Sequence, residues 1–282
     1  MGTLYVVATP IGNLGDITYN AIEVLNKVSY IAAEDTRVSI HLLSHYNIKN
    51  KLIAYHKFNE NAKSSKIIDL LKEGNDVAVV TDAGTPCISD PGSILVLEAI
   101  KNGINVISIP GANAVTTSLA LSGMDTSSFS FYGFLSRENK NMNNELESIK
   151  NDNTKVSVIY ESPKRIVKTL EKLKEYFPDA NYCICNDLTK KFEKKYYGKI
   201  DEVMTELTSN DNHEKGEYVI LIEKVNTIKE VDNDEISIEA LLIDCMVKNN
   251  CSMKEAISFV QKNNKISKND AYNASLNIKK MF

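Results

Sequence analysis

The stretch that decides the fold runs from Val77 to Gly92 and reads VAVVTDAGTPCISDPG. Its first part, Val77–Thr81, is an apolar run of strand length. The eleven residues Asp82–Gly92 that follow combine two glycines and two prolines with a carboxylate directly at the strand end. Such a connection is long, and long connections at the carboxyl ends of strands are where open α/β sheets bind ligands. The stretch therefore predicts an α/β domain with a ligand cleft at this strand end.

Short apolar runs alternate with amphipathic runs on both sides of this stretch, which is typical of an α/β fold with a mainly parallel sheet. In the first half we predict strands at Leu4–Ala8, Tyr30–Ala33, Leu52–Tyr55, Val77–Thr81 and Asn105–Ile109. Two of the helices between them are predicted to end at Gly74 and Gly103, because glycine readily adopts the left-handed conformation that closes a helix.

A second series of elements begins at Ala114. It contains predicted strands at Val156–Tyr160, Asn181–Cys185, Lys195–Tyr197 and Tyr218–Glu223, and a predicted helix at Pro163–Tyr176. Some connections in this half are short, so we expect antiparallel pairing among these strands.

An acidic stretch at residues 226–235 is predicted to be a linker, because it lacks hydrophobic periodicity. Three short helices are predicted after it, at Ile236–Lys248, Met253–Lys262 and Lys268–Ile278. The expected domains are therefore two α/β domains at residues 1–112 and 113–225, followed by a helical domain at residues 235–282.

The composition indicates a globular protein. With 282 residues, 43% of them hydrophobic and 25% charged, the chain can bury two cores. No basic segment followed by a long apolar run stands near the start, so we expect a cytoplasmic protein with no membrane partner. The odd number of cysteines, five, fits a reducing compartment. His41 and His45 have helical spacing but no third ligand at a recognisable distance, so no metal site is expected.

Charge is distributed unevenly along a chain whose net charge is −4. Residues 225–244 carry six acidic residues against one lysine, a net charge of −5. The residues from Lys248 onward carry seven lysines against two acidic residues, a net charge of +5, which suits contact with nucleic-acid phosphates. The chain has only three arginines, so the alternative is that a general preference for lysine produced this charge and the helices only pad the fold.

Four further loops at predicted strand ends hold residues suited to binding or catalysis. They are TPIGNLGD (residues 9–16), AEDTR (residues 33–37), PGAN (residues 110–113) and YESPKR (residues 160–165). The glycines of the first loop allow backbone to approach a ligand closely, although neither the dinucleotide-binding nor the phosphate-loop spacing is present. Glu34 and Asp35 beside Arg37 suit a substrate site, and the alternative for Asp35 is that it caps the next helix.

Five segments occur together in an order and spacing that resembles the small-subunit ribosomal RNA methyltransferases of the tetrapyrrole methylase superfamily. They are ATPIGNLGDIT from Ala8, AAEDTR from Ala32, TDAGTPCISDPG from Thr81, IYESPKR from Ile159 and KGEYVILIE from Lys215. The resemblance implies two α/β domains with S-adenosyl-L-methionine (SAM) in the cleft between them. It also implies a homodimer that methylates the 2′-hydroxyl of a decoding-centre cytidine, cytidine 1402, in the 16S rRNA of the small ribosomal subunit.

Transferred to the matching positions, the resemblance implies a cofactor cleft lined from several strand ends. The implied residues are Pro10, Gly12, Asp82, Gly84, Thr85, Ile88, Gly111, Asn113, Ala114, Tyr160 and Glu161, with Gly216 and Glu217 closing the cleft. Methyl transfer needs alignment of the reacting atoms and removal of one proton. We expect Asp35 or Glu34 to accept that proton, and Lys190 or Arg37 to hold the adjoining phosphate.

The chain departs from the family pattern in three places. Ala112 replaces a usual proline, Asn186-Asp187-Leu188-Thr189-Lys190 replaces a usual Arg-Glu-Leu-Thr-Lys, and Lys215 replaces a usual arginine. If the arginine at position 186 grips RNA phosphate in relatives, Asn186 cannot do so, and the neighbouring lysines must serve instead. These are Lys190, Lys191, Lys194 and Lys195.

Two other functions stay open at this point. One is SAM-dependent methylation of a tetrapyrrole-like macrocycle, which would not need a basic helical tail. The other is a non-catalytic RNA-binding factor in ribosome assembly, against which the intact motifs of the cofactor loops count.

Overall fold

A computed structural model of the chain describes residues 1–224, 237–264 and 266–281. It divides into two compact units, Met1–Val225 and Asn226–Phe282. The predicted linker at residues 226–235 and the predicted helix start at Ile236 lie outside the described residues. The division of the first unit at residues 112 and 113 stays a prediction.

The first unit begins with a five-stranded sheet whose strands all run parallel. The strands are β1 (Thr3–Val7), β2 (Tyr30–Ala33), β3 (Lys51–Ala54), β4 (Val77–Val80) and β5 (Asn105–Ile109), in the order β3-β2-β4-β1-β5. They are joined by α1 (Tyr19–Lys27), α2 (Thr36–His45), α3 (Glu60–Lys72) and α4 (Ser93–Lys101). Every residue of β4 is buried, as expected for a parallel sheet with both faces covered. All five carboxyl ends therefore lie along one edge, as the sequence predicted.

A second five-stranded sheet follows in the same unit. Its strands are β6 (Phe129–Phe134), β7 (Val156–Glu161), β8 (Asn181–Asn186), β9 (Lys194–Gly198) and β10 (Tyr218–Glu223), in the order β6-β7-β10-β8-β9. Only β6 and β7 pair in parallel, so the predicted antiparallel pairing is confirmed. The helices are α5 (Ala114–Leu121), α6 (Asn139–Asn151), α7 (Ile166–Tyr176) and α8 (Ile200–Thr208).

Each sheet packs apolar side chains on both of its faces. In the first sheet, Leu4, Val77 and Leu95 belong to the core on one face, and Val7 and Leu25 to the core on the other. In the second sheet, Ile159 and Leu170 belong to the core on one face, and Val158 and Val219 to the core on the other. Each fully buried leucine or isoleucine contributes about 1.5–3 kcal/mol, so these cores hold the strand ends in fixed positions.

The described residues of the C-terminal unit form three helices, α9 (Ile238–Asn249), α10 (Met253–Asn264) and α11 (Lys268–Met281), which confirms the three predicted helices. They bury a core of their own that includes Leu242, Ala256, Val260 and Ala274. The Ser237 hydroxyl caps α9 by accepting from the Ala240 amide at 3.2 Å. Among the described residues, none of the helices has both the length and the apolar character needed to cross a membrane.

Candidate functional site

A cavity of about 410 Å³ opens at the carboxyl ends of strands in the first unit, a size that is typical of small-molecule sites. Both sheets of the unit contribute to its walls. The lining residues are Ile11, Glu34, Thr81, Asp82, Ala83, Gly84, Thr85, Ile88, Ser89, Asp90, Asn113, Ala114, Phe134, Tyr160, Glu161, Ser162, Pro163, Leu188, Glu217, Tyr218 and Val219. The long loop after β4 supplies more of them than any other segment.

This loop, Asp82–Gly92, is held in one conformation by backbone contacts at both of its ends. Near its start, the Thr9 amide donates to the Gly84 carbonyl at 2.8 Å, and the Gly84 amide donates back at 3.1 Å. At its end, the Gly92 amide donates to Glu60 Oε1 at 3.0 Å. Cys87 and Ser89 have φ values of 72° and 67°, a left-handed backbone that side-chain-bearing residues rarely adopt. Such strain persists only where the surroundings enforce it, so the loop forms a preformed wall.

Five carboxylates line the cavity, and four of them are considered together: Glu34, Asp82, Asp90 and Glu217. Burial and the nearby charge of Glu34 raise the pKa of Asp90 to about 6, although the Thr81 hydroxyl hydrogen-bonds to it and opposes the shift. Burial also raises the pKa of Asp82, whose Oδ1 accepts from the Asp35 amide at 3.0 Å. Clustered carboxylates in a partly buried site create a negative potential that favours a cationic ligand.

An apolar wall faces these carboxylates. The ring of Tyr160 packs edge to face against Phe131 and Phe134, with centroid distances of 4.8 and 5.6 Å. Burial, followed by the charge of Asp90, raises the pKa of Tyr160 to about 12, so its hydroxyl stays protonated. Phe134 lines the cavity and remains exposed.

Glu161 lines the cavity, but its carboxylate is already fully engaged. Its Oε1 accepts from the Ser162 amide at 2.7 Å, and its Oε2 accepts from the Thr169 hydroxyl at 2.6 Å. Arg165 lies 3.3 Å from the same Oε2 and also donates to the Leu135 carbonyl at 3.0 Å. The YESPKR segment therefore ties the end of β7 to the residue after β6, and it shapes the wall without leaving a free carboxylate for a ligand.

The connection after β8 lies against the loop after β1. The Asn13 amide donates to Thr189 Oγ1 at 3.0 Å, and a Cβ on Gly12 would come within 2.5 Å of Lys190 Cγ. A Cβ on Gly216 would come within 2.3 Å of Asp187 Oδ2. Gly12 and Gly216 are thus needed for close packing between loops, and their expected contact with the cofactor stays a prediction.

Asn186 is buried at the end of β8. Its amide donates to the carbonyls of Lys215 and Glu217 at 3.2 and 3.4 Å. The Asn186 side chain therefore holds the segment that leads into β10, and it is not available at the surface.

In the segment Glu34–Arg37, one residue lines the cavity and the other three do not. Asp35 caps α2 by accepting from the Arg37 amide at 2.9 Å. The Arg37 guanidinium donates to both oxygens of Asp35, at 3.0 and 2.6 Å, and this hydrogen bonding lowers the pKa of Asp35 to about 2. The Thr81 hydroxyl donates to Glu34 Oε2 at 2.7 Å, and Glu34 alone of this segment faces the cavity.

Most of the expected residues come together at the cavity. Asp82, Gly84, Thr85, Ile88, Asn113, Ala114, Tyr160, Glu161 and Glu217 line it, together with Glu34. Pro10, Gly12, Gly111 and Gly216, and the expected catalytic residues Asp35, Arg37 and Lys190, are not among the lining residues. One of the lining residues, Asn113, also caps α5, because its side chain accepts from the Val115 amide at 2.9 Å.

Sequence reasoning missed two contributors to the site. Asp90 stands in the quoted loop, and its position just before Pro91 in a strand-end loop was a signal that could have singled it out. Phe134 had no such signal, because its strand β6 was not predicted. In the part of the chain that the structure describes, no group of three or more His, Cys, Asp or Glu residues is arranged to hold a metal ion.

The sequence of this chain matches a known family profile and is similar to curated proteins. Residues 3–204 match the profile of the family described as Tetrapyrrole (Corrin/Porphyrin) Methylases. Proteins named Ribosomal RNA small subunit methyltransferase I are similar over nearly the full length. The one from Halalkalibacterium halodurans is 42% identical over 96% of this chain and 94% of its own. Those from Bacillus subtilis and Haemophilus influenzae are 38% and 39% identical, over 97% and 98% of this chain and 94% and 96% of their own.

Solved structures with the same fold are more distant in sequence. A diphthine synthase superposes with a TM-score of 0.63 at 16% identity, covering 79% of this chain and 90% of its own. A uroporphyrin-III-C-methyltransferase from Thermus thermophilus superposes with a TM-score of 0.57 at 16% identity, covering 79% of this chain and 95% of its own. These likenesses support the fold and carry no information on the substrate.

Proposed function

Because this chain belongs to the tetrapyrrole methylase family, among the ribosomal RNA small subunit methyltransferases, we propose that it methylates a ribose hydroxyl of 16S rRNA with SAM as donor. The target we propose is the 2′-hydroxyl of cytidine 1402 in the decoding centre. The observation that carries the proposal is the 42% identity to a small-subunit rRNA methyltransferase over 96% of the chain. That likeness includes the C-terminal helices, which the macrocycle alternative does not require.

The cavity fits SAM by charge and by shape. SAM supplies a methyl group carried on a positively charged sulfonium, and it also bears an ammonium group and a flat adenine ring. Asp82, Asp90 and Glu217 complement the positive charges, and the exposed face of Phe134 beside Tyr160 suits the ring. We propose that these residues, with Thr85 and the backbone of Gly84 and Ala114, hold SAM.

The protein has to align the ribose hydroxyl and remove its proton as the new O–C bond forms. Asp90 is suited to accept this proton, because its pKa of about 6 leaves it ionised but basic at neutral pH. Glu34 is the second candidate, since it lines the same cavity and accepts from the Thr81 hydroxyl. Asp35 is held by Arg37 and is therefore better suited to positioning that cation at the rim than to proton transfer.

The proposal is tested by incubating the protein with methyl-labelled SAM, small ribosomal subunits that lack the modification, and a porphyrinogen macrocycle as competing substrate. We expect the label in one cytidine of 16S rRNA. Because a 2′-O-methyl group blocks alkaline cleavage of the adjoining phosphodiester, that cytidine should survive alkali as part of a dinucleotide. Label in the macrocycle, or in a base, would overturn the proposal. Label in neither substrate would support the non-catalytic alternative.

We also propose that the protein acts in the cytoplasm as a homodimer. Exposed apolar side chains on α4 and β5, Leu97, Ile100 and Ile107, support a contact with a second copy. Sedimentation should give twice the chain mass of 31.5 kDa, and Ile100→Glu should shift it to a single chain mass. A monomeric wild-type protein would exclude the dimer without affecting the proposed chemistry.

A further inference from the structure

Three aromatic side chains stand out by their exposure in the part of the chain that the structure describes. Tyr19, Phe58 and Phe192 have exposed fractions of 90%, 95% and 74%. Single exposed aromatic residues are common on protein surfaces. These three, however, all follow strands whose ends meet the cavity loops: Tyr19 follows β1, Phe58 follows β3 and Phe192 follows β8. All three therefore stand in segments that follow a strand end.

Phe58 is presented by a segment that is fixed to the cavity wall. The Asn59 side chain closes a turn by accepting from the His56 amide at 2.9 Å, and it donates to the Ala54 carbonyl at 3.2 Å. The His56 ring packs against Phe58 with a centroid distance of 6.2 Å. Two residues further on, Glu60 accepts from the Gly92 amide, which ends the loop that lines the cavity. These bonds fix the backbone on both sides of Phe58, and its ring lies in solvent.

Phe192 is presented in the same way by the connection after β8. The Thr189 amide donates to Glu193 Oε2 at 2.6 Å, and the Glu193 amide donates to the Lys190 carbonyl at 3.1 Å. These bonds close a short loop around Phe192, next to Leu188, which lines the cavity. Thr189 also accepts from Asn13 in the loop that precedes Tyr19. The Phe192 and Tyr19 segments are thus connected to each other and to the cavity.

A cation lies against one of these rings, and a lysine adjoins a second one along the chain. Lys57 is exposed and directly precedes Phe58, and Lys191 Nζ lies 5.5 Å from the centroid of the Phe192 ring. The cavity itself is lined by carboxylates, so it repels phosphates while the lysines beside the rings attract them. An exposed ring beside a cation, repeated at separate points, suits bases and phosphates along a single strand. A protein partner would instead favour one continuous apolar patch.

We propose that Tyr19, Phe58 and Phe192 form a stacking platform for unpaired RNA bases on either side of the target ribose. The proposal rests on the proposed function and specifies the form of its substrate, which is single-stranded RNA read by base stacking. Every base has a face that can stack, so the platform recognises unpaired strand without a fixed sequence. It acts at the mouth of the cavity, and the basic C-terminal helices are not needed for it.

The direct test measures binding of a twelve-nucleotide single-stranded RNA to Phe58→Ala and Phe192→Ala. Each substitution should weaken binding by about fivefold or more and leave SAM affinity unchanged. Phe58→Trp should restore binding, since the larger ring also stacks. Phe129→Ala is the matched control, because Phe129 is an exposed phenylalanine at the amino end of β6, and it should bind RNA as the wild type does. Surface substitutions of this kind rarely alter stability, so folding should not confound the result.

A fluorescence test follows from the absence of tryptophan in the chain. Phe58→Trp and Phe192→Trp each introduce a single fluorophore, whose emission should be quenched by single-stranded RNA and little affected by an RNA duplex of equal length. Equal quenching by both RNAs would show a purely electrostatic contact and overturn the platform. If the wild type methylates small subunits and both alanine variants bind and methylate as well, the platform is wrong while the proposed function stands. If the wild type neither binds nor methylates rRNA, the proposed function itself fails.

Discussion

Lys190 Nζ lies 2.9 Å from Glu217 Oε2 and 2.7 Å from Asp187 Oδ1, so two carboxylates share the cation that the sequence analysis assigned to RNA phosphate. Burial lowers the pKa of Lys190, but the hydrogen bonds to Asp187 and Glu217 outweigh it and raise the pKa above its usual value. Lys190 therefore stays charged and offsets part of the negative charge at the cavity rim. We therefore propose that its role toward RNA is indirect and that it reduces the repulsion that Glu217 exerts on an incoming phosphate.

Lys190→Gln should therefore raise KM for small ribosomal subunits by about two- to fivefold, the range for a partly exposed ion pair, and leave SAM affinity unchanged or higher. Steady-state kinetics and calorimetry measure the two quantities. Lys194→Gln, which removes an exposed lysine from β9, is the matched control for loss of charge alone. If both variants shift KM equally, the Lys190–Glu217 pair has no particular importance.

The raised pKa of Asp90 leads us to expect that the rate of the reaction depends on pH. Burial and the charge of Glu34 raise its pKa to about 6, so the ionised form needed to accept a proton is lost as the pH falls through 6. We expect kcat/KM for the small subunit to decline below about pH 6. Asp90→Asn should lower kcat about a hundredfold or more and abolish this acidic limb. An acidic limb that persists in Asp90→Asn would assign the titration to another group, with Glu34→Gln as the next variant to measure.

The same shift affects stability with a defined sign. The pKa of Asp90 is raised from 3.8 to about 6 on folding, so the folded state favours the protonated form. The stability that this form contributes is complete below pH 3.8 and is lost as the pH rises through 6. Asp90→Asn should thus gain stability relative to the wild type at pH 8 but not at pH 4, by a Tm difference of about 2–4 °C. Calorimetric scans at both pH values test this, and an equal difference at both would contradict it.

Thr85 lines the cavity, and its hydroxyl donates to the Ala112 carbonyl at 3.3 Å. Thr85→Tyr would place a ring in the space that we propose for SAM, so SAM affinity should fall by about tenfold or more. Thr85→Ser keeps the hydroxyl and should bind SAM nearly as the wild type does. Titration calorimetry gives both values. Unchanged affinity in a folded Thr85→Tyr protein would remove this loop from the SAM site.

Asp35 holds Arg37 at the surface, where the arginine side chain is 87% exposed. Asp35→Asn should remove this ion pair but keep an N-cap, because asparagine caps helices as well as aspartate does. We therefore expect slower methylation of small subunits with SAM affinity nearly intact, and a similar loss in Arg37→Gln. Wild-type turnover and SAM affinity in Asp35→Asn would reduce Asp35 to a helix cap.

Strands with continuous β-branched or apolar residues were predictable from local pattern. β2, β5 and β10 have the predicted bounds, because Tyr30–Ala33, Asn105–Ile109 and Tyr218–Glu223 are apolar runs with polar flanks. β6 was missed because it contains Gly133 and a register shift against β7. α7 begins at Ile166, three residues later than predicted, because Ser162 accepts from the Arg165 amide in a turn that precedes the helix.

The sequence predicted which strand-end loops form the site. It did not predict how charge is distributed among them. Parallel strands bring their carboxyl ends to one edge, and this rule alone placed Asp82, Thr85 and Glu34 together. The hydrogen bond of Asn13 with Thr189 joins residues 176 positions apart, and no local pattern indicates it. The pKa of Asp90 likewise depends on burial by the fold and on carboxylates from separate loops.

The basic tail provides the last prediction. Its helices bury a core separate from those of the first unit, so a protein that ends at residue 235 should keep both sheets and the SAM cavity. Lys248 and the lysines Lys254, Lys262 and Lys268 are all exposed, and Lys248 is paired with Asp244 at 2.9 Å. We propose that the tail binds rRNA phosphates, so that deletion should weaken small-subunit RNA binding and leave SAM affinity unchanged. The slope of log affinity against log salt should flatten by about 0.7 to 0.9 for each phosphate that the shortened protein no longer neutralises.

Replacing Lys254, Lys262 and Lys268 together by glutamine should reproduce much of this effect, and Lys248→Gln, the matched control, should not. A folded, truncated protein with the full-length affinity and salt slope would show that the tail only pads the fold, and it would make the macrocycle the next substrate to test.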